Sequence, residues 1–117
     1  MHNYKEFKVW KRSIALNVFI YECTRSFPVE EKFGLVSQMR RSAISIPSNI
    51  AEGSGRRTDK DFAHFLSIAH GSICELESQL FISLELKFIS KEDFEKVIYE
   101  LKEIQKMLYV LIIKFDS

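Results

Sequence analysis

Apolar side chains recur along this chain at spacings of three and four, the pattern of helices that each bury one face. Phe7, Trp10, Ile14, Val18 and Tyr21 mark a first helix from about Tyr4 to Arg25, closed off by Phe27 and Pro28. A second begins near Glu30, with Glu30 and Glu31 in a first turn whose dipole favours acids. Its stripe is Leu35, Met39, Ala43, Ile46 and Ile50, and Gly53 and Gly55 stop it. Thr58 is a good N-cap for a third helix, with Asp61 three residues on. There Phe62, Leu66, Ala69, Ile73, Leu76 and Leu80 form a heptad-like seam. Ser90 and Asp93 repeat the cap before Phe94, Val97, Leu101, Ile104, Leu108, Leu111 and Phe115. Such seams pack at shallow angles. Short connections then give one domain over residues 1–117: an all-α, antiparallel up-down-up-down four-helix bundle.

The second helix contains Pro47, which has no N–H to donate and crowds the carbonyl one turn back, so a kink is expected there. Ser45, Ser48 and Asn49 lie beside it as partners for freed backbone groups. The run Ser45-Ile46-Pro47-Ser48-Asn49-Ile50-Ala51-Glu52-Gly53 therefore reads as a built kink followed by a C-cap. The first helix also carries more apolar residues than one stripe needs: Val9, Leu16, Phe19 and Ile20 point away from Trp10. The fourth adds Ile98, Tyr109 and Ile112. Either the core face is wide or these are subunit contacts; Leu16, Phe19 and Ile20 are the candidate interface of a homo-oligomer.

Charge changes the picture through its distribution. The net value is +1, but residues 1–60 carry +5 and residues 61–117 carry −4. Lys5, Lys8 and Arg12 form a ridge on the first helix, Arg40 and Arg41 sit on the second, and Arg56 and Arg57 precede the third. Such clusters suit phosphate contacts to RNA or DNA without base reading. They equally suit the acidic half of a neighbouring copy, or plain solvation. Catalytic signals are missing. Gly53-Ser54-Gly55-Arg56-Arg57 lacks Walker spacing, the lone Asp61/His64 pair falls short of a di-iron set, and no nucleophile has a nearby His with an orienting acid. The reading is a non-enzyme with no cofactor and no metal. Cys23 and Cys74 match no metal spacing, no signal peptide opens the chain, and the apolar run Leu108–Ile113 is too short for a bilayer, so a cytoplasmic protein with reduced thiols and no membrane contact is expected.

Phe27-Pro28, Glu31, Gly34-Leu35, Gln38-Met39-Arg40-Arg41 and above all Ser45-Ile46-Pro47-Ser48-Asn49-Ile50-Ala51-Glu52-Gly53 resemble the four-helix-bundle proteins encoded in intervening sequences of bacterial 23S ribosomal RNA genes. Trp10-Lys11, Phe62-x-x-Phe65-Leu66 and Glu75-Leu76-Glu77 fit as well. The pattern is also similar to that of the accessory variability protein of diversity-generating retroelements. This resemblance implies an antiparallel bundle assembled as a homopentameric ring, with basic surfaces that contact nucleic acid. In the retroelement branch it implies a reverse transcriptase as partner. The acidic second half departs from a strongly basic member. The alternative is a structural or protein-binding oligomer whose basic half meets its own neighbours.

Overall fold

In the computed structural model, which describes all 117 residues, four α-helices run in the order anticipated, with a short 3-10 turn ahead of each of the first two. They are α1 (Lys8–Thr24), α2 (Leu35–Ser54), α3 (Asp59–Glu85) and α4 (Lys91–Asp116). The 3-10 turns span Tyr4–Glu6 and Val29–Glu31. There is no strand. Each helix has two close neighbours, α1 beside α2 and α4, α3 beside α2 and α4, and the backbones of the diagonal pairs lie farther apart across the shared core. The long axis of 43 Å fits helices of this length at about 1.5 Å per residue.

The caps expected for α3 and α4 are both made. Thr58 Oγ1 accepts from the amide of Asp61, and Ser90 Oγ from that of Asp93, each at 3.1 Å. At the far end of α3 the chain turns through Lys87 at φ 62°. The amide of Phe88 reaches the carbonyl of Ser83 (2.9 Å) and that of Lys87 the carbonyl of Leu84 (3.0 Å), a Schellman closure. The seams of α3 and α4 line the core as anticipated, from Phe62 to Leu80 and from Phe94 to Leu108, with Phe115 below them.

Three expectations are corrected. The first helix is split: Tyr4–Glu6 is a separate turn and Phe7 is extended, so α1 starts at Lys8. The second helix starts at Leu35, because Glu31 stays outside it and uses its carboxylate as a cap, accepting from the Leu35 amide at 3.1 Å. Gly53 does not stop that helix but lies within it, buried against α3. A Cβ there would stand 2.6 Å from the Phe65 Cβ and 2.9 Å from a Phe62 ring carbon. Its lack of a side chain lets α2 and α3 approach.

α1 is also rotated from the expected stripe, of which Phe7 and Trp10 still pack, partly buried, against the core. Val9, Ser13, Leu16, Ile20, Cys23 and Thr24 are buried, whereas Ile14 and Val18 are 40% and 56% exposed. Leu16 and Ile20 thus belong to the monomer's own core and cannot form a subunit interface. Phe19 is half-buried against that core, with the Lys96 ammonium 4.5 Å from its ring. The true seam accommodates Ser13 and Thr24 because each hydroxyl bonds within its own helix, to the carbonyls of Trp10 (2.7 Å) and Ile20 (2.8 Å).

Candidate interaction surface

Turning α1 this way places Trp10, Ile14, Val18 and Tyr21 outward, beside Ile44, Pro47, Ser48 and Ala51 of α2. Together they line a groove of about 660 Å³, with Tyr4 at one end and Glu22 and Arg25 on the rim. Trp10 meets Tyr4 edge-on at 5.1 Å between ring centres. Arg40 covers the Tyr21 ring at 4.4 Å and donates to Thr24 Oγ1 (3.0 Å) and the Tyr21 carbonyl (3.3 Å), closing the C-terminal turn of α1.

Pro47 shapes the floor. It leaves the Ala43 carbonyl without an intrahelical donor. That carbonyl accepts from Asn17 Nδ2 of α1 at 2.8 Å, and the same nitrogen also donates to the Ser13 carbonyl at 2.8 Å. Two carbonyls fix the amide's orientation, which leaves Asn17 Oδ1 buried without a donor. The helix runs unbroken from Leu35 to Ser54 through Pro47. Ser45 and Asn49, expected to relieve the proline, face α3 instead. Asn49 Nδ2 donates to the Ser45 carbonyl (2.8 Å) and hydroxyl (2.9 Å), and that hydroxyl accepts from Ser72 Oγ at 2.8 Å.

The seven candidate nucleic-acid residues are not one surface. Arg12 turns to α4, where Glu100 takes a forked contact at 3.0–3.2 Å. That hydrogen bond to Glu100 is the main cause holding the Arg12 guanidinium above its ordinary pKa. Arg40 is committed to Tyr21 and Thr24. Arg56 pairs with Glu52 at 3.1 Å and stacks 4.6 Å from the Phe65 ring. Lys5, Lys8, Arg41 and Arg57 are exposed and make no ion pair. Lys5 lies in the first 3-10 turn, so the three-residue ridge on α1 does not form. The N-terminus of α3 is answered by its own Asp59 and Asp61, which weakens it as a phosphate site. No three His, Cys, Asp or Glu side chains gather as a metal would require. The thiols are unpaired; Cys23 is buried, and desolvation is the main cause raising its pKa from 9.0 to about 11. No helix is long and apolar enough to cross a membrane.

The class is that of an all-helical bundle with an uncovered apolar groove between two of its helices. The sequence pattern of the 23S rRNA-intervening sequence proteins matches residues 5–110, and the chain belongs to that family. A 1.70 Å crystal structure of a protein with unknown function from the S23 ribosomal protein family of Bacteroides thetaiotaomicron superposes with a TM-score of 0.82. It is 28% identical, over 89% of this chain and 97% of that one. No curated protein matches the chain.

Sequence reasoning missed the groove, and with it Asn17, Ile44 and the Arg12–Glu100 pair. A signal for one of them was present: Asn17 is an isolated amide inside an apolar helix, where a buried carbonyl needing a donor is a natural partner.

Proposed function

We propose that this chain is a non-catalytic assembly module that acts in the cytoplasm as a homo-oligomer. The observation that carries the reading is the groove between α1 and α2, lined mostly by apolar side chains, in a chain that already has a filled core. Ile14, Val18 and Ile44 stand exposed along the groove, and covering them against a partner would remove apolar surface from water. The exposed side chains Tyr109, Val110 and Ile113 on the outer face of α4 point the same way. The test is sedimentation velocity of the full chain over a dilution series. The expected mass is a multiple of the 13.7 kDa chain, fivefold if the ring implied by the resemblance forms. A single species of chain mass at every concentration overturns the reading.

A nucleic-acid role is the second reading, favoured by the unpaired cations Lys5, Lys8, Arg41 and Arg57. Its contacts would be to phosphates, so binding should be indifferent to sequence, with log K falling by about 0.9 per neutralised duplex phosphate for each log unit of salt. Replacing Arg41 and Arg57 by Ala should lower that slope. Absence of binding to duplex RNA or DNA in low salt assigns those cations to solvent or to neighbouring subunits.

A further inference from the structure

We propose that the groove takes the turn between α1 and α2 of a second copy, with Phe33 as the inserting side chain. The inference rests on the self-association reading and gives it a contact. Phe33 is the most exposed large apolar residue, at 87%, and Val29 on the same turn is 80% exposed. The turn that presents them is built. The amide of Glu31 bonds to the Pro28 carbonyl (2.9 Å), that of Lys32 to Val29 (3.1 Å) and that of Gly34 to Glu31 (3.0 Å). Glu31 reaches inward to cap α2, and Phe27 is buried against Phe88 with ring centres 5.7 Å apart. The backbone is anchored from below while two apolar side chains stand in water. A Phe so held loses little freedom on insertion and brings a large apolar surface.

The groove suits that knob. Its lining includes the aliphatic side chains of Ile14, Val18, Ile44, Pro47 and Ala51, which fit a protein side chain better than a phosphate chain. Of the aromatic rings in the lining, Tyr21 is already covered by Arg40 at 4.4 Å and Trp10 meets Tyr4 edge-on. Charge is compatible in both signs: Glu30 and Lys32 flank the knob, Lys32 with its ammonium 5.4 Å from the Phe33 ring, and Arg25 and Glu22 stand on the groove's rim, so each sign can meet its opposite. Knob and groove are different patches of one chain, which lets the contact repeat head-to-tail until a ring closes.

Phe33→Ala alters the knob and Val18→Glu the groove; both residues are more than half exposed, so neither change disturbs the core. Each should weaken self-association about thirtyfold or more, the loss expected of an interface hot spot. In a Cys74→Ser background, which leaves knob and groove intact, a Lys32→Cys chain mixed with a Ser48→Cys chain should be joined by a short bismaleimide, and neither alone should be. If the wild type self-associates but both variants match it and no mixed cross-link forms, the knob-in-groove contact is overturned and the self-association reading stands. A wild-type monomer at all concentrations overturns both. Single-stranded RNA binding that Val18→Glu abolishes and Phe33→Ala leaves intact assigns the groove to nucleic acid and overturns the proposal.

Discussion

Replacing Asn17 by Ala tests whether one side chain compensates for a proline on another helix. Asn17 Nδ2 supplies the Ala43 carbonyl with the donor that Pro47 lacks, at 2.8 Å. Losing that donor leaves a buried carbonyl unsatisfied, which costs about 1–3 kcal/mol. Removing the unpaired Oδ1 at the same time offsets part of this, so the expected net loss is about 1–2 kcal/mol. For a domain of this size that is about 4–10 °C in Tm. The background decides the interpretation. In Pro47→Ala the new amide can donate to Ala43 itself, so Asn17→Ala should then cost less by about 1 kcal/mol, a coupling that the double-mutant cycle isolates. Urea unfolding followed by circular dichroism, at two protein concentrations to separate any assembly contribution, gives all four values. Equal costs of Asn17→Ala in both backgrounds would refute the reasoning.

Other outcomes follow from single contacts. Gly53→Ala should destabilise by about 1–3 kcal/mol, because the new methyl overlaps Phe65 at 2.6 Å and α3 must move; a thermal melt unchanged from wild type contradicts the close approach. Lys87→Gly should stabilise by about 0.5–1 kcal/mol by removing the strain of a side chain at φ 62°, read from the urea midpoint. The thiol of Cys23 gives a pH effect with a definite sign. Unfolded, it releases its proton from about 9.0, whereas the folded chain holds it to about 11, so its contribution is intact below pH 9 and is lost as pH rises through that window. Relative to wild type, Cys23→Ala should therefore lose less stability between pH 8 and about 10.5, measured by unfolding in parallel buffers.

The sequence was most legible where one stripe served one core. On α3 and α4 the heptad seams and the Thr58 and Ser90 caps need only local information, and they stand where the periodicity puts them. On α1 the same method chose the wrong face. Its buried seam includes Ser13 and Thr24, whose hydroxyls are satisfied by their own helix, and its outer face holds Trp10, Ile14, Val18 and Tyr21. Counting apolar residues cannot separate two such faces; only the positions of α2 and α4 do. Glu30 and Glu31 looked like a helix start because acids suit a first turn, yet Glu31 caps from outside. The basic clusters were legible as positions but not as free charges, since the partner of Arg12 lies 88 residues away in sequence and Arg40 is spent on the end of α1.

The run from Ser45 to Gly53 carried the strongest sequence signal, and the structure divides it among several surfaces. Ile46 and Ile50 are fully buried in the core. Ser45 and Asn49 face Ser72 of α3, and Gly53 admits Phe62 and Phe65. Glu52 holds Arg56. Pro47, Ser48 and Ala51 line the groove from the α2 side. The motif therefore both builds the monomer and shapes the surface it leaves open, and the two roles can be separated. Ser48 is exposed and donates no hydrogen bond to another residue. Ser48→Phe should fill the groove from its own helix and leave the core untouched. The expected result is an unchanged helical spectrum and monomer stability within about 0.5 kcal/mol of wild type, as for most surface changes, together with loss of self-association in sedimentation. Gly53→Ala should do the reverse in kind, lowering the melt of any species present. If Ser48→Phe assembles as tightly as wild type, the groove is not where copies meet.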